Sequence, residues 1–261
     1  MKNKLIYTVA IVAMVLFSGT LLAQKHKVSD KCLYFFDRLE KSAPWIVSDN
    51  GAGLVFNSAM NFSSFGAFYG NEKGDYKNYY DPSNYNTFGI STKSYVKSKN
   101  VYYFGELIYD YGIKENQAWL GTIYPNTTYN PIVDSIPGKV LREDYYLNAK
   151  VGYPVSKSLS LGVGFNYHTA TAAKRTDGRN NNTFSSFNVA PGIIFSKGIL
   201  NLGLNLSYKH DVERVKYEYL GDETGKSIYY MEGLFFYTES GLTNTTILSR
   251  GYFTDVFVGA L

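Results

Sequence analysis

Apolar and polar side chains alternate with a period of two along much of the chain. The clearest run, residues 158–168, places Leu, Val, Phe and Tyr at odd positions and Ser, Gly, Asn and His at even positions. A second run, residues 200–209, has Leu or Tyr at even positions, with Asn, Gly, Ser and Lys between them. Alternation of this kind is typical of a β-strand with one apolar face and one polar face.

The pattern predicts nine strands. They are expected near residues 61–70, 85–96, 101–111, 143–153, 158–168, 183–196, 199–210, 227–238 and 250–260. Each spans roughly ten residues or slightly more, the length of a tilted strand that crosses a membrane. Strands of ordinary globular proteins are shorter, at about five or six residues.

The connections between these strands alternate between short and long. Short turns are expected at residues 97–100, 154–157 and 197–198, and long polar loops at 71–84, 112–142, 169–182 and 211–226. Many Tyr and Phe residues also fall near the predicted strand ends. These features predict an all-β fold, an antiparallel transmembrane β-barrel over residues 61–261, with periplasmic turns, extracellular loops and aromatic girdles. The alternative is a secreted β-sandwich or jelly roll, in which the apolar faces point inward.

The N-terminal residues have the pattern of a secretory signal peptide. Lys2 and Lys4 precede an apolar run over residues 5–17, and Ala23 provides a small residue at the expected cleavage point. A permanent membrane anchor is the alternative. Residues 24–60 are expected to form a periplasmic segment with a short amphipathic helix over residues 30–41.

Composition excludes several classes of protein. Aromatic residues make up 17% and charged residues 18% of the 261 residues, which argues against disorder. A formal net charge of +4 is too small for a nucleic-acid partner. The single Cys and the three His residues lack metal-ligand spacing, so neither a metal site nor a cofactor is expected. No Gly-x-Ser-x-Gly motif is present. The one candidate for an enzymatic site is a Ser–His pair of His168 with Ser185 or Ser186. We expect no catalytic activity.

Two loop regions carry candidate ligand-binding residues. Lys174, Arg175 and Arg179 could bind anionic sugars or lipopolysaccharide phosphates through charge-assisted hydrogen bonds, or could form an ordinary solvated loop. Trp119 and Tyr124 could stack on sugar rings, or could pack the long loop over the barrel mouth. Residues expected to line a polar lumen are Asn148, Lys150, Asn166, Asn201, Asn205 and Lys209.

Several short motifs occur together in a recognisable order. They are Trp45, residues 48–54 (SDNGAGL), Phe65-Gly66, Tyr69-Gly70, residues 74–76 (GDY), Trp119, Asn130-Pro131, Asp134, Ala173-Lys174, Asp177, Arg179 and residues 190–192 (APG). Over residues 40–261 the chain resembles a family of uncharacterised outer-membrane β-barrel proteins of Bacteroides-type Gram-negative bacteria. The resemblance implies the fold and the location but no activity.

The resulting hypothesis is a porin-like or accessory channel for a small nutrient in the outer membrane. The alternative is a non-conducting structural or binding barrel in a cell-surface complex. Expected partners are outer-membrane lipid, lipopolysaccharide and a surface protein. An odd number of strands, together with a last strand that ends at Leu261, predicts the N-terminal part of a larger barrel.

Overall fold

The computed structural model describes most of the chain after residue 43. It covers residues 44–57, 61–124, 131–176, 178–219, 226–233, 236–241 and 246–260. The predicted signal peptide and the predicted helix over residues 30–41 lie outside these described residues. Within them, no helix has the length and apolar character needed to cross a membrane.

Two short helical turns precede the strands. Helix α1 (Pro44–Val47) is followed by a 3-10 helix (Gly51–Phe56), which Asn50 caps by accepting a hydrogen bond from the Ala52 amide at 3.0 Å. The strands are β1 (Phe62–Lys73), β2 (Asn84–Ser98), β3 (Val101–Gln117), β4 (Ile132–Asp134), β5 (Gly138–Pro154), β6 (Leu159–Lys174), β7 (Arg179–Lys197), β8 (Leu200–Tyr219), β9 (Ser227–Gly233), β10 (Phe236–Gly241) and β11 (Thr246–Ala260).

Antiparallel pairing joins the strands into two sheets. The main sheet has eight strands in the order β1-β2-β3-β5-β6-β7-β8-β11, and the small sheet has three in the order β10-β9-β4. The protein is therefore all-β and antiparallel. Among the described residues, β1 and β11 each pair with a neighbour on one side only.

Eight of the nine predicted strands are confirmed in the main sheet, but the prediction of one long strand over residues 227–238 is wrong. That region forms β9 and the start of β10, which belong to the small sheet. The loop predicted over residues 169–182 is also wrong, because β6 continues to Lys174 and β7 begins at Arg179. Polar residues beyond the apolar run still pair through their backbones, so the strands extend further than the hydrophobic pattern.

The main sheet separates the alternating side chains onto two faces. We define the inner face as the one that residues 44–57 cover, and the outer face as the opposite one. On the outer face of β8 the side chains of Leu200, Leu202, Leu204 and Leu206 are 44 to 56% exposed. Tyrosines flank this apolar region, with Tyr109, Tyr145, Tyr167 and Tyr208 toward the long loops and Tyr103 and Tyr153 toward the short turns. The sheet thus exposes its apolar face, the reverse of a soluble sandwich.

A row of glycines on the inner face makes room for residues 44–57, which we call the N-terminal segment. Gly152, Gly162 and Gly192 lie opposite one another on β5, β6 and β7. A Cβ atom added to Gly162 would lie 2.1 Å from the Ala52 nitrogen, and one added to Gly152 would lie 2.7 Å from the Gly51 oxygen. The 3-10 helix can therefore lie directly against the sheet backbone only because these positions have no side chains.

Hydrogen bonds to four strands hold the N-terminal segment against the glycine row. The buried Lys150 ammonium donates hydrogen bonds of 2.7 Å to the carbonyls of Ile46 and Ser48. Ser160 donates to the Ala52 carbonyl at 3.0 Å, and Tyr95 donates to the Leu54 carbonyl at 3.2 Å; Asn50 reaches the Leu204 carbonyl of β8 at 3.3 Å. The segment is thereby bonded to β2, β5, β6 and β8.

Replacing Gly162 by Val should displace the N-terminal segment. The new side chain overlaps the Ala52 backbone, and overpacking of this kind costs about 1–3 kcal/mol in unfolding free energy. Gly105→Val is the matched control, because a Cβ there meets nothing within 4 Å. Denaturant unfolding would measure stability, and limited proteolysis would report cleavage within residues 44–57. Equal stability and equal protection from proteolysis in both variants would contradict the inference that the glycine row makes room for the N-terminal segment.

Candidate functional site

A second stretch of chain covers the inner face near the long loops. Residues 118–124, which we call the loop segment, follow β3 and lie against β7 and β8. Asn180 and Asn182 donate to the carbonyls of Leu120 and Gly121 at 2.6 and 3.1 Å. The Ile123 amide donates to the buried Glu213 carboxylate at 2.5 Å. Side chains from β7 and β8 therefore satisfy backbone groups of the loop segment.

A buried ion pair stabilises the same end of the sheet. The Lys174 ammonium lies 2.6 Å from the Asp134 carboxylate and donates to the Ile136 carbonyl, also at 2.6 Å. The Trp119 amide donates to the Asp134 carbonyl at 2.8 Å, so β4 and the loop segment are connected. Desolvation by burial raises the pKa of the Asp134 carboxyl above its usual value, and the neighbouring Lys174 ammonium offsets part of that rise.

A cavity of about 490 Å³ opens on the inner face beside the loop segment. Its walls include the rings of Tyr124, Phe184 and Tyr252 and the polar side chains of Ser186, Lys209 and Asp211. The Tyr124 and Phe184 rings meet edge to face with centroids 4.8 Å apart. The volume lies within the range of small-molecule sites, about 300–1,000 Å³, and the mixture of rings and polar groups is typical of them.

A network of charged and aromatic side chains supports one wall of this cavity. The buried Asp144 carboxylate accepts from Arg142 at 2.6 and 2.9 Å and from His168 at 3.0 Å. The His168 ring stacks on Tyr146 with centroids 3.9 Å apart, and the Tyr124 hydroxyl lies 3.3 Å from its Nε2 atom and 3.4 Å from its Nδ1 atom. The stacking and the hydrogen bond to Asp144 together fix the orientation of the ring.

The geometry does not assemble a nucleophile and base. Ser186 lies opposite His168 in the β6–β7 register and on the same face, whereas Ser185 lies on the outer face. No hydrogen bond joins His168 to either serine, and His168 is bonded to Asp144 through Nε2. The His168 ring is stacked and largely enclosed. The described residues therefore do not pair His168 with a serine nucleophile.

The six residues predicted to line a lumen all lie on the inner face, in different surroundings. Lys150 is 1% exposed beneath the N-terminal segment, and Asn166 lies 3.5 Å from the Asp49 carboxylate. Asn201 accepts from Ser196 at 2.6 Å, and Lys209 pairs with Asp211 at 2.6 Å. The side-chain oxygens of two further residues are buried without a hydrogen bond; these residues are Asn148 and Asn205.

The residues predicted to bind ligands in the loops do not form one exposed group. Lys174 is buried in its pair with Asp134, so the prediction of an exposed basic loop that binds an anion is wrong for this residue. Arg175 lies exposed in the turn after β6, and Arg179 begins β7 on the outer face. These residues lie apart because successive side chains of an extended strand point to opposite faces of the sheet.

The two predicted loop aromatics pack within the protein. The Trp119 ring lies 5.0 Å from the Tyr229 ring of β9, and Tyr124 lies against Phe184 and His168. Both rings thus pack against other parts of the protein, and the alternative that they close the barrel mouth stays a prediction. Tyr124 nevertheless lines the cavity, so it remains a candidate ligand contact.

Sequence reasoning missed the residues that organise the site. Arg142, Asp144 and Glu213 lie on the inner face just beyond the apolar region, in stretches that were predicted to be loops or loop borders. These residues continue the alternation of the neighbouring inward-facing residues, and this position in the alternation indicates that they lie on the inner face. Their pairing depends on strand register, which one sequence does not specify. Within the described part of the chain, no group of three His, Cys, Asp or Glu residues could hold a metal ion.

These features define an all-β protein with an exposed apolar sheet face and a polar inner face covered by two segments. The family model "Family of unknown function (DUF6850)" matches residues 51–261, and the chain belongs to this family. Neither the curated proteins nor the solved structures include a significant match. The family description gives no location or activity, so the outer-membrane location remains a prediction.

Lys174→Met should destabilise the protein by about 3–5 kcal/mol, because it leaves the Asp134 carboxylate buried without its cation. Lys139→Met is the matched control, since the Lys139–Glu115 pair is largely exposed and contributes less than about 1 kcal/mol. Denaturant unfolding would compare the two variants. Adding Asp134→Leu to Lys174→Met should restore part of the loss, and no recovery would contradict the assignment.

Proposed function

We propose that the chain forms part of an outer-membrane β-barrel whose interior the N-terminal segment and the loop segment occlude, and which binds a small polar molecule in its inner cavity. The observation that carries the proposal is the reversed distribution of side chains. The outer face exposes Leu, Val, Phe and Tyr, while the inner face holds Lys150, Asp144 and Glu213 beneath internal segments. Lipid rather than water is the solvent that suits such an outer face.

The dimensions of the apolar region support a membrane-spanning role. The exposed outer-face run from Leu200 to Tyr208 covers nine residues of β8, and the run from Tyr145 to Tyr153 covers nine residues of β5. A tilted strand needs about 9–11 residues to cross the apolar core of a bilayer. Tyrosines at both ends of the β5 run and at the long-loop end of the β8 run resemble the aromatic girdles of outer-membrane barrels.

The contents of the inner face favour a barrel with more than the eight described strands. A closed barrel of about eight strands has an interior just wide enough for side chains. Here the inner face carries the backbones of the N-terminal segment and the loop segment as well. Unpaired strand edges are also not tolerated in lipid, so β1 and β11 require further strands as neighbours.

The two segments favour binding over free conduction. One lies against the glycine row near the short turns, the other lies near the long loops, and the cavity is beside the latter. A porin-like channel would need at least one of them to move. We keep gated uptake as the second candidate, because the cavity offers a polar and aromatic site from which a solute could pass onward.

An arginine placed in the apolar region should distinguish a lipid-facing surface from a water-facing one. Leu204→Arg lies within the exposed outer-face run and should cost about 2–4 kcal/mol in a bilayer. Thr171→Arg, on the outer face beyond this region, should cost about 0–1 kcal/mol. Unfolding from lipid vesicles would give both values. A neutral Leu204→Arg, with the protein in the soluble fraction, would refute the barrel.

Conductance tests the occluded interior. The full chain should be found in the outer-membrane fraction, show heat-modifiable gel mobility and give little conductance in planar bilayers. Lys150→Ala removes two hydrogen bonds to the N-terminal segment and should increase the frequency of open events. Lys97→Ala, at an exposed residue next to a short turn, serves as the control. Large conductance in the unmodified protein would favour the porin-like alternative instead.

A further inference from the structure

A groove of about 510 Å³ lies on the outer face where β7, β8 and β11 approach the long loops. It is distinct from the inner cavity, because all but two of its lining residues have outer-face positions along the strands, the exceptions being Val215 and Arg250. Its outer-face residues include Thr183, Arg214, Lys216, Ser249, Gly251 and Phe253. These outer-face residues combine two cations, two hydroxyl groups and one ring on the surface that we propose to face lipid.

The two cations of the groove are accessible. Arg214 is exposed and makes no hydrogen bond or ion pair with any described residue. Lys216 is also exposed and pairs with Glu218, which lies farther along β8 on the same face. Gly251 lies opposite Arg214 in the β8–β11 register, and the Phe253 ring lies over this glycine, 3.0 Å from the position that a Cβ atom would take. Because Arg214 is exposed, an anion can approach it from the outer face beside this ring.

The position of the groove relative to the apolar region identifies the kind of anion. On β8 the outer-face residues change from Leu200–Tyr208 to His210, Val212 and then Arg214. On β11 the Phe253 ring is 65% exposed and lies against Gly251, and Asp255, which pairs with His210, follows it toward the apolar region. A ligand that fills the groove would place an anionic group on the cations and an apolar group along Phe253.

We propose that this groove binds the phosphate of an anionic lipid in the outer leaflet, with the acyl chains lying along Phe253 and the apolar region below. This inference rests on the proposed outer-membrane function. Arginine forms bidentate, charge-assisted hydrogen bonds with phosphate, and lysine adds a point charge. Thr183 and Ser249 provide hydroxyl donors beside them. A free phosphate would use the cations but not the ring.

The test uses the full chain in nanodiscs of neutral phospholipid, with bisphosphorylated lipid A as the probe. Native mass spectrometry would count bound lipid, and a titration would give the apparent affinity. Arg214→Gln with Lys216→Gln should weaken binding by about tenfold or more, because two charge-assisted hydrogen bonds are lost. Lys197→Gln, which removes an exposed cation at the short-turn end of β7, should leave the affinity unchanged. Phe253→Ala should weaken lipid A binding but not phosphate binding.

Each outcome decides between the proposals. Equal lipid A affinity in the double variant and the unmodified protein would overturn the lipid site, and so would equal weakening by Lys197→Gln. Equal affinity for dephosphorylated lipid A would remove the role of phosphate. Full competition by millimolar inorganic phosphate, with no effect of Phe253→Ala, would replace the lipid by a free phosphate. Heat-modifiable mobility is measured on the same samples: its presence without phosphate dependence rejects the lipid site alone, and its absence rejects the barrel too.

Discussion

Most of the structure depends on how the protein itself provides partners for charged and polar groups that are buried on the inner face of the main sheet. In a soluble sheet the polar face contacts water, whereas here protein segments cover it. A buried ammonium without partners would be costly, so Lys150 takes two carbonyls of the N-terminal segment. The same requirement explains why Asn180, Asn182 and Glu213 bind backbone groups of the loop segment. The two segments therefore both cover the inner face and provide hydrogen-bond partners for its polar side chains.

Close approach of the N-terminal segment determines where the sequence carries glycine. Gly152, Gly162 and Gly192 form a row because neighbouring inward positions of β5, β6 and β7 meet the same 3-10 helix. Gly105 faces the other side and has no such neighbour, so a strand glycine alone does not indicate a seat. Glycine weakens a strand, and this row would be a liability without the segment that covers it. Sheet and segment consequently stabilise each other.

Alternation was sufficient to predict the all-β fold and eight main-sheet strands, because period-two patterning is a local property. It also selected inner-face residues such as Asn148 and Lys209 correctly by parity. It did not predict the ends of the strands, since polar stretches such as residues 169–174 pair as well as apolar ones. The Asp134–Lys174 pair joins residues 40 positions apart in different sheets, and no local pattern contains that information. The sequence shows which residue types are present, but it does not show the strand register that brings them together. The unknown register was therefore the main limit on predicting the site.

Comparison of the basic residues near the long loops separates structural charges from available ones. Lys174 and Arg142, on the inner face, each contact a carboxylate that is itself buried. Such pairs hold the sheet and the loop segment together, and removal of one partner leaves a charge that the interior cannot solvate. Arg214 lies on the outer face of β8 and has no partner among the described residues. An exposed cation at the border of an apolar surface costs little in the folded protein, so it can remain available for an anion from outside. The division of charge between the two faces thus follows from the same alternation that forms the strands.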